Sequence, residues 1–300
     1  MLIGALEAGG TNMIASIGNA QRGVMQRASF PTADPESTIP QILEFLKAFD
    51  IRALGIGSFG PLDLHPDSQT YGCITDTPKQ EWRSYPLLPV LREALGVPTA
   101  IDTAANVSAL AENRVGAGMG TRNMLYLTVG AGVGGGILIG GEPVHGLVHP
   151  ELGHMLIAPA EGDPLERGVC PFHEHCLEGL ASSVAIEKRW GLPAKLMTEE
   201  HPAWALEAQY LAQMCVNVIL AISPEIIVLG GDVMQAQPAL YPMIRTETLR
   251  LLGGYVCSPR ITPEGMQGYI VPPKLGINAG VTGALLLGAQ ALAEEEERDG

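Results

Sequence analysis

Apolar residues fill positions 2–8, LIGALEA, stop at Gly9–Gly10, and resume over 12–18 as NMIASIG. Two strand-length apolar runs joined by a glycine turn predict a β-hairpin. In PQILEFLKAFD, residues 40–50, Ile42, Leu43, Phe45, Leu46 and Phe49 recur at helical spacing behind a proline, which predicts a helix starting there. Residues 53–59, ALGIGSF, read as a buried strand that empties into Gly60-Pro61-Leu62-Asp63. The polar, proline-punctuated stretch 71–86 predicts a long surface loop. A helix over 87–96 and a strand over 98–102 follow, ending at Asp102, and a further helix opens with AANVSALAENRVGAG.

The pattern then repeats. Residues 123–146 give strand, glycine-rich turn and strand, followed by predicted helices over 180–190 and 203–222 and a strand, EIIVLGGD, that stops at Gly230–Gly231. The last segment, 269–297, predicts a strand, a turn and an amphipathic helix over about 284–297 with an acidic end. A plan used twice predicts duplicated α/β domains flanking a cleft. The GAGMG joint at 116–120 places the boundary near residue 118, with residues 1–118 as one lobe and 119–300 as the other. The terminal helix is expected to return to the first lobe.

Composition narrows the function classes. A formal net charge of -14 argues against a nucleic-acid surface, which requires clustered Lys and Arg. Apolar runs fall short of the ~20 residues that cross a bilayer, and no basic segment precedes an apolar one at the N-terminus. The expectation is a cytoplasmic protein with no membrane and no nucleic-acid partner. Five cysteines, three of them scattered, do not make a disulfide framework.

The densest chemistry lies between His149 and Cys176, in HPELGH and CPFHEHC. Cys170, His173 and Cys176 recur every third residue, and His154 stands upstream. Two thiolates and two imidazoles suit tetrahedral Zn²⁺, and four protein ligands leave no open position, so the expected ion is structural. His175 is an alternative to His173 by spacing. Glu151 and Glu178 flank this loop as carboxylates at fixed positions. Elsewhere, Asp63 reads equally as a ligand group after a strand end or as a turn cap. Gly9, Gly10 and Thr11 offer a lean turn to which a phosphate could come close. Asn106 lies in the first turn of its helix, where polar ligands are favoured.

These stretches together resemble the ROK sugar-kinase family and, within it, the fructokinase branch. The matching segments are EAGGT, GIGSFGPLD, ITDTPKQEW, DTAANVSALAE, TVGAGVGGG, HPELGH with CPFHEHCLEGLAS, and YIVPPKLG with NAG. The resemblance implies a two-lobed fold of the actin/hexokinase, ribonuclease H-like type with a zinc-binding loop, a sugar in the cleft, ATP with Mg²⁺, and a homodimer. It implies sugar-binding roles for Gly60, Pro61, Asp63, Asn106, Glu151, His154 and Glu178, with His154 also a zinc ligand beside Cys170, His173 and Cys176. It implies phosphate contacts for Gly9, Gly10, Thr11, Gly130, Gly132 and Gly134, and an adenosine turn at Gly230 and Gly231.

The chain also departs from that pattern. Ala104 stands where the family places the Asp that takes the proton from the sugar hydroxyl, and Asp102 lies two residues away. Ala131 replaces a phosphate-binding Thr, Asn12 a Lys, Asp232 a Gly, Ile277 an acid, and Ser183-Val184 a Gly-Pro. General-base assistance contributes about 10²–10⁴-fold, so losing it points to an impaired kinase. Three functions fit this set: an ATP-dependent hexose kinase acting on fructose, a glycoside hydrolase using carboxylates such as Glu151, Glu178, Asp102 and Asp232, or a sugar-binding protein without turnover.

Overall fold

A computed structural model describes residues 1–19 and 23–299. The described residues divide into two compact units: those within 1–112, 143–150 and 277–299 form the first, and residues 113–142 and 151–276 the second.

The first unit is built on a five-stranded mixed sheet. Its strands are β1 (Leu2–Ala8), β2 (Asn12–Asn19), β3 (Gly23–Pro31), β4 (Ile51–Ser58) and β5 (Thr99–Thr103), in the order β3-β2-β1-β4-β5. The β1–β2–β3 meander is antiparallel, whereas β1, β4 and β5 run parallel. The expected hairpin is therefore present, with a third strand that the pattern of apolar residues did not announce. Most β3 residues are exposed or half-buried, so no alternation marks it in sequence.

The first helix spans Pro35–Lys47, not 40–50. Asp34 caps it by accepting the Ser37 N–H at 2.8 Å, and Pro35 takes the first helical position. Such a cap contributes about 1 kcal/mol. Pro40 lies inside the helix and removes one backbone donor there. The 71–86 stretch is not a loop lying on the surface. Trp82 is 1% exposed and its indole N–H donates to the Ala33 carbonyl. Its ring packs edge-on against Phe59 and Tyr85, and Ile74 is fully buried. One aromatic anchor outweighs its polar neighbours, because burying it stabilises more than the exposed charges around it cost.

The C-terminal helix, Ala279–Asp299, is longer than expected. By length and hydropathy it could cross a membrane, contrary to the sequence expectation. Here it is a core helix, with Val281, Ala284, Leu285 and Leu292 buried against Ile3, Ala5 and Ala53. Its backbone meets β4 at Gly55 and Gly288. A Cβ on Gly55 would lie 1.9 Å from the Ala284 oxygen, and one on Gly288 would lie 2.7 Å from the Gly55 nitrogen. Only glycine permits that approach.

The second unit repeats the plan with β6 (Met124–Val129), β7 (Val133–Ile139), β8 (Glu142–Pro143), β9 (Ile226–Gly230) and β10 (Ile270–Val271), in the order β10-β9-β6-β7-β8. The β6–β7 hairpin is antiparallel, and β9 and β10 extend the sheet in parallel. The helix expected over 180–190 is two pieces, Leu177–Ala181 and Ser183–Trp190, because Ser182 caps the second by accepting the Ala185 N–H. Helix Ala203–Ala221 agrees closely with expectation, and helix Leu240–Leu252 was missed.

A buried ion pair ties the loop before Cys170 to this unit. Arg189 donates to Asp163 at 2.7 and 3.1 Å, with the two side chains 1% and 3% exposed. The Tyr210 hydroxyl donates to the same carboxylate.

Candidate functional site

In the first unit the parallel strands β1, β4 and β5 end on one side, and each end carries an element of the predicted site. Strand ends of this kind are where α/β sheets hold ligands. After β1, the turn Gly9–Gly10–Thr11 closes with the Gly9 N–H donating to Asn12 at 3.0 Å. Lys79 reaches this turn, its Cε 3.6 Å from where a Cβ on Gly10 would stand. Glu7, one residue from the end of β1, lies against Gly280. Its Oε2 is buried without a hydrogen-bond partner, and burial raises its carboxyl above the usual range.

After β4 comes a cis Gly60–Pro61 bond. The Leu62 N–H donates to His149 Nε2 at 3.0 Å, so His149 buttresses the loop as a neutral ring, in keeping with the lowering of its pKa by burial. Asp63 is engaged in its own loop. It accepts the His65 N–H and the hydroxyls of Ser68 and Thr70, and these hydroxyls hold its carboxyl below the usual range. Its carboxylate thus does the work of a turn cap.

At the end of β5, Asp102 is buried and fully engaged. Oδ1 accepts from the Thr103 N–H at 2.7 Å and from Asn106 Nδ2 at 2.8 Å, and Oδ2 lies 3.0 Å from His145 Nε2. Thr103 Oγ1 caps the following helix, Ala104–Val115, by accepting the Asn106 N–H. Asn106 is 1% exposed, yet its Oδ1 has no partner. A buried acceptor left unpaired costs about 1–3 kcal/mol, and a ligand hydroxyl would remove that cost. Ala104 opens the helix with a methyl group.

Sequence reasoning did not assign His145 or His149 to the site, although both lie in HGLVHPELGH. Their partners are 43 and 87 residues away in the chain, and no local periodicity reports such pairings.

In the second unit, the turn between β6 and β7 closes with the Gly130 N–H donating to Gly132 at 2.9 Å. Glu178 lies on this turn. Its Oε2 accepts the Val133 N–H at 2.9 Å and would stand 2.9 Å from a Cβ on Gly132. Gly134 pairs with Thr128 in the hairpin. Burial, and then the charge of Glu178, raise the Glu151 carboxyl to about 7. Gly231, at φ 94°, follows β9 so tightly that a Cβ would lie 2.3 Å from the Val129 oxygen. Asp232 Oδ2 stands 3.8 Å from where a Cβ on Gly130 would be, which places an acid beside a turn suited to anions.

His154, Cys170, His173 and Cys176 converge in the same unit, their ligand atoms all within 4.8 Å of one another. Cys170 Sγ is 3.7 Å from His154 Nδ1 and 3.8 Å from His173 Nδ1, and Cys176 Sγ is 3.8 Å from His154 Nδ1. Tetrahedral zinc with bonds of about 2.0–2.3 Å needs S–N edges of about 3.6 Å, so the donor set fits that ion. Burial first, and then Cys170 and Glu178, raise the Cys176 thiol to about 11 against the lowering effect of the Gly179 N–H, and a bound cation is what would hold a thiolate there. His175 lies outside the cluster, with Nε2 3.5 Å from the Glu166 carbonyl.

The ROK family model matches residues 3–291. The chain belongs to the ROK family. It is 40% identical over 309 residues to a fructokinase of Zymomonas mobilis, covering 99% of this chain and 98% of that protein. It is 38% identical over 292 residues to a fructokinase of Pediococcus pentosaceus, covering 97% and 99%. Among solved structures, the ROK hexokinase from Thermus thermophilus superposes with a TM-score of 0.78 at 26% identity, covering all of both chains. The α/β fold with two mixed sheets is that of ROK sugar kinases, of the actin/hexokinase type.

Proposed function

We propose that this ROK protein transfers a phosphoryl group from ATP to a hexose, with fructose as the preferred sugar. The observation that carries the reading is near-full-length identity of 38–40% to two fructokinases. The geometry supports it. The orphan Asn106 Oδ1 suits a sugar hydroxyl, and the two glycine turns suit phosphates. Gly60, Pro61, Glu151, His154 and Glu178 complete the proposed sugar contacts, Asp63 acting through the shape of its loop. Gly230 and Gly231 form the proposed adenosine turn.

Mg²⁺ suits Glu7, a hard oxygen donor with an unpartnered atom, and when bound with ATP it neutralises phosphate charge. Zn²⁺ on His154, Cys170, His173 and Cys176 has a structural role, fixing the segment that carries Glu151 and Glu178. We further propose a cytoplasmic homodimer with residues near 118 as the joint between lobes. Ala104 favours one second reading, a sugar-binding protein without turnover. Calorimetric titration with ATP–Mg²⁺ and with fructose, followed by an ADP-release assay, separates the two. Kinase identity requires both ligands to bind and ADP to form only when sugar is present. Failure of ATP to bind at millimolar concentration defeats it.

A further inference from the structure

The end of β5 holds a second feature besides the sugar contacts. Asp102 is poorly suited to take a proton itself: it is 5% exposed and both of its oxygens already accept hydrogen bonds. His145 is different. Its side chain is 39% exposed, and with Nε2–H donating to Asp102 the ring keeps its lone pair on Nδ1. A buried carboxylate bound to one imidazole nitrogen fixes the tautomer and stabilises the imidazolium that forms when the other nitrogen takes a proton. Asn106, with its unpaired Oδ1, binds the other oxygen of the same carboxylate. Asn106 and His145 are therefore held by the two oxygens of one carboxylate.

We propose that His145, oriented by Asp102, is the general base for the sugar hydroxyl, in place of the acid absent at Ala104. The proposal rests on the kinase reading. In the step, the hydroxyl oxygen forms a bond to the γ-phosphorus. The bond from that phosphorus to the bridging oxygen breaks, and its electron pair leaves with ADP. The hydroxyl proton passes to His145 Nδ1 and then to solvent. Asp102 is a positioning residue. The hydrogen bond to Asp102 raises the His145 pKa against the lowering effect of burial, and the Asp102 charge and the Pro143 carbonyl add to the rise by favouring the protonated ring. Two other titratable groups interact with the pair. His149 is lowered by burial, and Tyr71 is raised by burial and by Asp102, with Arg92 and Glu294 acting on it from further off.

The test is the pH dependence of kcat for fructose phosphorylation in the full chain, His145→Gln, Ala104→Asp and their combination. The expected result for His145→Gln is a kcat lower by ~10²–10⁴-fold with little change in sugar KM, and loss of the acid limb in the imidazole range. Ala104→Asp alone should move that limb toward the carboxylate range, and in the double variant should restore at least about tenfold of the lost rate. A His145→Gln protein with kcat within about threefold and its acid limb intact overturns the proposal while leaving the kinase reading standing. So does an Ala104→Asp limb that stays in the imidazole range. A wild-type chain that releases no ADP with any hexose overturns both.

Discussion

Side-chain identity at two positions bears most directly on the proposed ligands. Asn106 contributes an amide whose donor is spent on Asp102 and whose acceptor is free. Replacing it with Ala should raise the fructose Kd by about tenfold or more, since a hydrogen bond to a buried polar group is worth about 1–3 kcal/mol; titration calorimetry would read this directly. Asp232 acts in the opposite sense. Its carboxylate beside Gly130 would repel a phosphate held at that turn, though its exposure and salt weaken the effect. Asp232→Asn should lower the ATP KM by about three- to tenfold, and an unchanged KM would mean that the phosphates lie elsewhere.

Not all of this is visible in a linear reading. The Cys/His set is, because its spacing is short and its chemistry distinctive. His145 is not, because a lone histidine in a loop gains meaning only when folding sets it against Asp102. Glu207 is hidden for another reason. It is 1% exposed with neither oxygen partnered, and burial raises its carboxyl well above the usual range, yet in sequence it reads as a solvated position of a helix.

At the scale of elements, the loop between His154 and Cys176 is pinned by the Asp163–Arg189–Tyr210 network and, on the proposed reading, by the metal set. Removing one partner of a buried ion pair costs about 3–5 kcal/mol, so Arg189→Met should lower the unfolding free energy by roughly that amount in urea titrations. Burial on its own would raise the Asp163 carboxyl, but hydrogen bonds from Arg189 and Tyr210 hold it lower than usual. A carboxyl lowered by folding stabilises above its unfolded pKa of about 3.9. That contribution disappears as pH falls through the lower folded value, so acid unfolding of wild type should steepen below about pH 4, and Asp163→Asn should flatten it. For the other pin, metal analysis should find about one zinc per chain. Cys170→Ser or chelation should lower the thermal midpoint and weaken sugar binding; a metal-free protein with an unchanged midpoint would contradict the structural role.

Element types are readable where the chain is buried over most of its length, as in β1, β4 and helix Ala203–Ala221. They were not readable at β3, an exposed edge, nor around Trp82, where one side chain reverses the character of a polar segment. Helix Leu240–Leu252 did carry a signal, since Leu240, Ile244, Thr248 and Leu252 are buried at intervals of four.

At the scale of the molecule, the duplication announced by two glycine hairpins corresponds to two sheets with the same strand plan, and membership of the ROK family accounts for both. On the proposed reading the nucleotide-side departures, Asn12, Ala131 and Asp232, would weaken ATP binding without removing the backbone amides of either turn. On that reading, chemistry at the sugar hydroxyl would depend on His145 and Asp102. The most direct measurement is phosphorus NMR of the purified protein with ATP–Mg²⁺ and fructose. The account predicts a growing sugar-phosphate resonance matched by ADP, dependent on fructose and strongly reduced in His145→Gln. Fructose binding seen by calorimetry with no sugar phosphate formed, from fructose or from any other hexose, would contradict it.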